Sequence, residues 1–256
     1  MKRILPYLLL LSVVVAIFFI IFSCQKSKRE TLVIGMNVEY PPFESRVDTE
    51  FVGIDIEIIK RLSELAGFDY EIMDLDFEQL IPSLQSGKID MIISAYSVTE
   101  ERKQLVDYSV PYFTSKQALL KRSDNPAVIS KLEDLAAYRV GTQNLTTGAK
   151  LLNEKLIATN LMPRKMLQTF GSNAQTLAAL LNGEIDFAIF DHAPAQSFTQ
   201  SNPLTVAFEY ATNEQYAIAF RKNSPHRDKI NKALREMLVK GEIDDIIGSF
   251  INSSQQ

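Results

Sequence analysis

Residues 84–102 read LQSGKIDMIISAYSVTEER. A helix end, a glycine stop at Gly87 and a short buried strand over 90–93 follow one another, and Ser94 and Ser97 make a polar exit from that strand. Thr99 then opens a new helix: its hydroxyl suits an N-cap, and Glu100 and Glu101 suit the positive end of the helix dipole. Arg102 falls near the third helical position, where a cation meets that same positive end. The placement becomes favourable if an anion is shared by the guanidinium and the free N–H groups of the turn. The alternative is a surface arginine paired with Glu101 or Asp107.

Residues 180–190, LLNGEIDFAIF, echo residues 84–94. Gly183 matches Gly87, Ile185 matches Ile89 and Asp186 matches Asp90, and this copy runs out into Asp191. One copy delivers a cation at its strand exit and the other an anion. In open α/β sheets ligands collect outside the carboxyl ends of the strands, so two such edges of opposite charge would suit a zwitterion.

The frame around these copies is α/β. Strands are expected over 31–36, 70–73, 117–121, 138–141, 166–170 and 215–220. Helices are expected over 55–66 and 78–86, from the Thr146–Thr147 turn to about 155, from Ser172 to Gly183, and from Ser224-Pro225 to 238, with a last amphipathic segment over 243–250. Ser130 and Glu133 read as a capping box. The double proline of Tyr40-Pro41-Pro42-Phe43 forbids helix, and is expected to turn Tyr40 to a cleft and Phe43 to the core. The turn over 142–148, rich in hydroxyls and amides, either presents donors to an anion or simply caps the next helix. Crossings near 113–117 and 212–217 would make a two-stranded hinge.

The chain has 256 residues, room for two modest domains, and is 46% hydrophobic with a formal net charge of −4. No basic patch is interleaved with aromatics, so nothing favours nucleic acid. Lys2 and Arg3 precede an uncharged apolar run over 4–22, which reads as a signal peptide over 1–23, with an uncleaved membrane anchor as the alternative. Cys24, the only cysteine, closes Ile21-Phe22-Ser23-Cys24 and resembles the lipidated first residue of a bacterial lipoprotein; Phe22 departs from the usual small residues. Lipidation of Cys24 leaves no disulfide, and residues 24–30 form a polar tether.

The ordered motifs resemble the bacterial extracellular solute-binding proteins of family 3 over residues 31–250. They are Tyr40-Pro41-Pro42-Phe43-Glu44, Val52-Gly53-Ile54-Asp55, the run from Leu80-Ile81-Pro82-Ser83 to Asp90, Thr99-Glu100-Glu101-Arg102, Thr146-Thr147-Gly148 and Asn182-Gly183-Glu184-Ile185-Asp186. The resemblance implies a two-lobe periplasmic-binding-protein-like fold of type II, each lobe a mostly parallel sheet flanked by helices, with the ligand cleft between them. Residues 31–114 and 216–250 would form lobe 1, 115–215 an inserted lobe 2, and 251–256 a tail.

The resemblance further implies a monomeric, lipid-anchored subunit of an ABC importer, facing the periplasm or the cell exterior. It would capture a free L-α-amino acid without a cofactor and hand it to the permease transmembrane subunits. Arg102 matches the grip on the α-carboxylate, Thr147 a second contact to it, and Asp191 the acid that takes the α-ammonium. Ser94, Ala95, Tyr96 and Ser97 match lobe 1 contacts, Thr146 and Gln143 belong to the lobe 2 turn, and Tyr40 and Phe77 match aromatic walls.

Leu145 departs from the family where many relatives have glycine, and Asn37, also a ligand-facing position, stands where binders of basic amino acids often have aspartate; Glu39 or Gln143 could compensate. Asn37, Glu39, Gln143 and the aromatic walls lean toward a polar or basic amino acid. His192 reads as a rim residue, and the two histidines, far apart in sequence, give no metal site. Two rivals remain: a cyclohexadienyl-dehydratase-like enzyme, for which Glu39 is the one candidate general acid once Asp191 holds the ammonium, and a sensor domain, against which the absence of an output segment after Phe250 is set.

Overall fold

The computed structural model describes residues 29–251. The signal segment 1–23, Cys24, the first residues of the tether and residues 252–256 lie outside the described residues. The strands before the chain midpoint are β1 (Thr31–Met36), β2 (Ser45–Val47), β3 (Glu50–Val52), β4 (Asp69–Asp74), β5 (Met91–Ile92), β6 (Val106–Tyr108) and β7 (Phe113–Arg122). Then come β8 (Val140–Gln143), β9 (Leu167–Phe170), β10 (Phe187–Asp191), β11 (Leu204–Tyr216) and β12 (Ala219–Arg221).

Two five-stranded sheets result, ordered β4-β1-β5-β12-β6 and β11-β7-β10-β8-β9, with β2 and β3 forming a separate hairpin. Both sheets are mixed. β1 pairs in parallel with β4 and β5, and β8 with β9 and β10, while β12 and β7 pair antiparallel with their neighbours.

Both faces of each sheet are covered, which is why the central strands read as apolar runs rather than alternating ones. Alternate residues divide between the two layers. In the first sheet Met91 and Ile93 pack with Ile58, Leu62, Leu234 and Met237, while Ile92 packs with Leu80 and Leu84. In the second, Leu119, Phe187 and Ile189 join Val140 and Leu152, while Ala188 and Phe190 join Leu180 and Phe198.

The repeated sequence is a repeated structure. Gly87 (φ 78°) and Gly183 (φ 75°) each end a helix in the left-handed conformation that glycine adopts at no steric cost. Ile89 then packs over Gly35 and Ile185 over Gly141, so closely that a Cβ on either glycine would lie 2.3 Å from the isoleucine Cδ1. Asp90 Oδ2 accepts from the Val33 N–H at 2.8 Å, and Asp186 Oδ2 from the Arg139 N–H at 2.9 Å. Each copy thus seals a helix–strand turn against the start of a parallel neighbour.

Several local expectations are corrected. Asp134, not Glu133, closes the Ser130 turn: its Oδ2 accepts from the N–H groups of Ser130 (2.9 Å) and Lys131 (3.1 Å). Ser224 does not cap a long helix; its Oγ holds the His226 N–H at 3.3 Å and the helix runs over Arg227–Lys240. The helix from Thr147 changes at Leu152 to a π turn, Asn153–Ile157. The single strand expected over 215–220 is two, because β11 ends at Tyr216 and the chain re-pairs at Ala219 in the other sheet. β11 lies antiparallel to β7 with Tyr216 opposite Phe113 and Glu214 opposite Ser115.

Candidate functional site

A narrow cavity opens where the strand exits of the two sheets meet. Arg102 and Asp191, the two charged ends of the repeat, both line it.

Arg102 is buried in the helix Glu100–Leu105. Thr99 Oγ1 accepts from its backbone N–H at 3.2 Å, so the N-cap is formed by the expected residue. That N–H is therefore not free for an anion. The guanidinium is held by carbonyls, Nη1 donating to Ser97 O (2.8 Å) and Nη2 to Leu145 O (3.0 Å), and its Cζ lies 4.2 Å from the centroid of the Tyr96 ring and 5.3 Å from that of Phe77. The carboxylates of the bland alternative are engaged elsewhere: Glu101 with Lys150, and Asp107 with Lys222 and Arg227. Among the described residues Arg102 forms no ion pair, and it retains donors for an anion in the cavity.

Leu145 reaches Arg102 through a left-handed backbone (φ 60°), with its side chain outside. The leucine therefore adopts the conformation a glycine would give, at a cost of roughly 1–2 kcal/mol.

Asp191 ends β10 and is buried. Its carboxylate accepts from the Tyr216 hydroxyl and from Gln117 Nε2, and its N–H donates to the Tyr40 hydroxyl at 2.9 Å. Burial first, and the neighbouring Glu214 charge second, push its pKa up to about 7.

Tyr40, Phe77, Ser94, Ala95 and Ser97 also line the cavity. Phe43 turns the other way and packs edge-on against Phe113 and Tyr216. From the second sheet come Gln143, Thr146 and Thr147. Gln143 Nε2 donates to Asn37 Oδ1 (3.4 Å) and Gly171 O (3.2 Å), which ties the two sheets' edges together at Asn37. Tyr96 is not part of the lining: it lies behind Arg102, stacked on Tyr108. Glu39 is absent from the lining too, its Oε2 accepting from the Ala174 N–H at 3.2 Å. His192 pairs with Glu209 at 2.6 Å, away from the cavity.

Four acidic or amide groups at or beside the cavity, Glu44, Asp55, Gln117 and Glu214, are not among the site residues expected from the sequence. Glu44, within Tyr40-Pro41-Pro42-Phe43-Glu44, is buried at the cavity wall, where Ser94 Oγ donates to its Oε1 at 2.8 Å. Its Oε2 is enclosed, and the carboxyl shares a hydrogen bond with the neighbouring Asp55. Burial and the adjacent Asp55 hold its pKa well above the usual carboxyl range. Asp55 is itself raised to about 6 by burial, although it accepts from Ala95 N–H (2.7 Å) and Tyr112 OH (2.8 Å). Gln117 lines the cavity beside Asp191, and Glu214 touches Ser97, Thr147 and Gln117 from β11. The Glu44 side chain could have been found from the loop, since an acid directly after a buried Phe43 shares its turn; Glu214 had no local signal.

Similarity to known proteins follows the same outline. An arginine-binding extracellular protein of Bacillus subtilis (strain 168) is 32% identical over 250 residues, covering 93% of this chain and 95% of that protein. A probable histidine-binding protein of Campylobacter jejuni is 32% identical over 247 residues, covering 89% and 92%. The solved structure of an ancestral arginine-binding protein bound to glutamine superposes with a TM-score of 0.80 at 34% identity, over 87% of this chain and 98% of that one. Residues 32–253 match the description of a single family. The chain belongs to the bacterial extracellular solute-binding proteins, family 3.

Proposed function

We propose that this chain is the substrate-binding subunit of an amino-acid ABC importer. It takes an L-α-amino acid with a basic or amide side chain and delivers it to the permease transmembrane subunits. The observation that carries the reading is the pairing, in one cavity, of a buried guanidinium that has no carboxylate partner among the described residues with a buried carboxyl group of raised pKa. Arg102 takes the α-carboxylate, where a planar fork fits two oxygens, and Asp191 takes the α-ammonium. Ser94, Ser97 and Thr147 supply polar contacts, and Tyr40 and Phe77 wall the side chain.

Residues 31–114 with 216–250 make lobe 1, residues 115–215 make lobe 2, and the β7–β11 pair is the hinge. A ligand held by both lobes favours the closed form through its differential contacts. The Glu44 carboxyl at the cavity wall supports a side chain that brings a hydrogen-bond donor, and the arginine and histidine named for the two relatives agree with that class. Residues 1–23 direct export, Cys24 carries the lipid and residues 24–30 are the tether, which places a monomer on the membrane outside the cytoplasm; this part rests on the sequence. Metabolic labelling with palmitate, lost in Cys24→Ala, tests it.

The chain works without catalysis. The raised pKa of Asp191 would equally suit a general acid, so incubation with prephenate or arogenate is the direct check: product formation overturns the transport reading. Calorimetry with the common L-amino acids tests it positively, and binding by wild type that disappears in the Arg102→Ala, Asp191→Ala double variant is the expected result.

A further inference from the structure

Glu214 touches the cleft only through other side chains. Its Oε2 accepts from Thr147 Oγ1 at 2.6 Å and from Ser97 Oγ at 3.0 Å, and its Oε1 accepts from Gln117 Nε2 at 2.9 Å. Gln117 Nε2 also donates to Asp191 Oδ1. Three residues that line the cavity are therefore tied to one carboxylate that does not line it.

The backbone is shaped to bring it there. β11 shifts register between Tyr210 and Glu214, leaving Glu214 opposite Ser115. Immediately beyond, Val98 N–H donates to Gln215 O at 2.8 Å and Ala217 N–H to Tyr96 O at 3.1 Å, which docks the Ser97 turn beside Glu214. Ser97 belongs to the exit of β5, Thr147 to the turn after β8. Glu214 thus holds one hydroxyl from each sheet's edge.

A carboxylate only accepts hydrogen bonds, and a hydroxyl has a single proton to give. Ser97 and Thr147 both spend that proton on Glu214, so each turns lone pairs, not hydrogen, toward the rest of its surroundings. Neither hydroxyl can then also donate to a ligand carboxylate. The ends of Ser97, Thr147 and Asp191 together present acceptors, which an ammonium with three donors satisfies and a neutral or anionic group does not.

We propose that Glu214 is a positioning residue that selects ligands with a free α-ammonium, by fixing the Ser97 and Thr147 hydroxyls as acceptors and adding a second negative charge beside Asp191. The inference rests on the amino-acid-binding reading above and assigns it a discriminating element outside the cavity wall. Thr147 is correspondingly left with its backbone N–H for the α-carboxylate, and its hydroxyl serves the other end of the zwitterion.

The test compares ligands that differ only in the amine. L-Arginine is paired with 5-guanidinopentanoate, and L-glutamine with 4-carbamoylbutanoate, each titrated calorimetrically into wild type, Glu214→Gln and Glu214→Asp. Glu214→Gln is expected to weaken the amine-bearing member of a pair by about tenfold or more and to leave its des-amino partner within about threefold. Glu214→Asp keeps the charge but is one methylene too short to hold both hydroxyls, so it is expected to lose selectivity in the same direction and by less. Equal losses for both members of a pair would mark Glu214 as merely structural and overturn the proposal, as would unchanged affinities. Thermal melts of each variant show whether it is folded. Failure of wild type to bind any common L-amino acid would instead overturn the functional reading itself.

Discussion

The backbone N–H of Asp191 donates to the Tyr40 hydroxyl at 2.9 Å, across 151 residues of sequence. This bond links the loop after β1 to the exit of β10, and it places an aromatic wall of the cavity against the carboxyl group that burial and Glu214 raise to about pKa 7. An ammonium needs that carboxyl ionised. At pH below 7 a proton competes for the same site, and affinity falls by up to tenfold per unit; above 7 it is flat. L-Glutamine, which brings no side-chain charge to Glu44 and Asp55, isolates the effect. Its affinity is expected to fall about twentyfold between pH 7.5 and 5.5, as read by calorimetry, and a constant affinity over that range would contradict the assignment of Asp191.

Arg102 is fixed before any ligand arrives, by two carbonyls and two aromatic faces. Replacing it by alanine removes the cation that meets the α-carboxylate and leaves the Ser97 and Leu145 carbonyls without their donor. A loss of about 2–5 kcal/mol in amino-acid binding is expected. Arg102→Lys keeps the charge but not the fork, and is expected to recover only part of that loss. Full recovery by lysine would mean that charge alone, rather than bidentate geometry, holds the carboxylate.

Glu44 bears on the side chain. A guanidinium or ammonium brought to the cavity wall draws a carboxylate charge onto Glu44, whereas an amide meets the neutral acid with a single neutral bond. Glu44→Gln is expected to weaken L-arginine by about 1.5–3 kcal/mol while L-glutamine changes little. The same variant should alter the stability of the ligand-free protein. Because the folded-state pKa of Glu44 lies above that of the unfolded chain, the folded form binds more protons, and stability declines as pH rises above the unfolded carboxyl value. Glu44→Gln removes that decline, so melting temperatures of wild type and variant should diverge with rising pH in favour of the variant.

Features with a single local cause are legible in the sequence. Two glycines followed by isoleucine and aspartate announced the repeated turn, and Gly87, Ile89 and Asp90 do the same work as Gly183, Ile185 and Asp186. The double proline set Tyr40 and Phe43 on opposite sides of a loop. Features decided by register or by a distant partner are not legible there. Nothing local says that β11 extends back to Leu204 or that its register shift lifts Glu214 to the cleft. Tyr96, adjacent to cavity residues in sequence, serves instead as the support behind Arg102, because the chain bends at Ser94–Ala95, where Ala95 takes a left-handed φ of 44°.

Gly53 offers a test of how the loop that carries Tyr40 and Glu44 is held. Its φ of 139° lies in a region open to glycine, and a Cβ there would stand 2.1 Å from Phe43 O and 2.9 Å from Pro42 O. Those carbonyls are not free to move: Phe43 O accepts from Asp55 N–H and Pro42 O from Ile54 N–H, each at 3.0 Å, fastening the loop to the start of the helix Ile54–Ala66. Gly53→Ala must therefore strain the backbone or break these two bonds, at a cost of about 2–4 kcal/mol. For a domain of this size each kcal/mol lowers the melting temperature by about 2–4 °C, so a fall on the order of 10 °C is expected in a thermal melt. Since the displaced loop bears Tyr40 and Glu44, affinity for L-arginine should fall with it. An unchanged melting temperature would show that the loop relaxes without loss, and that its fastening to the helix contributes little to the fold.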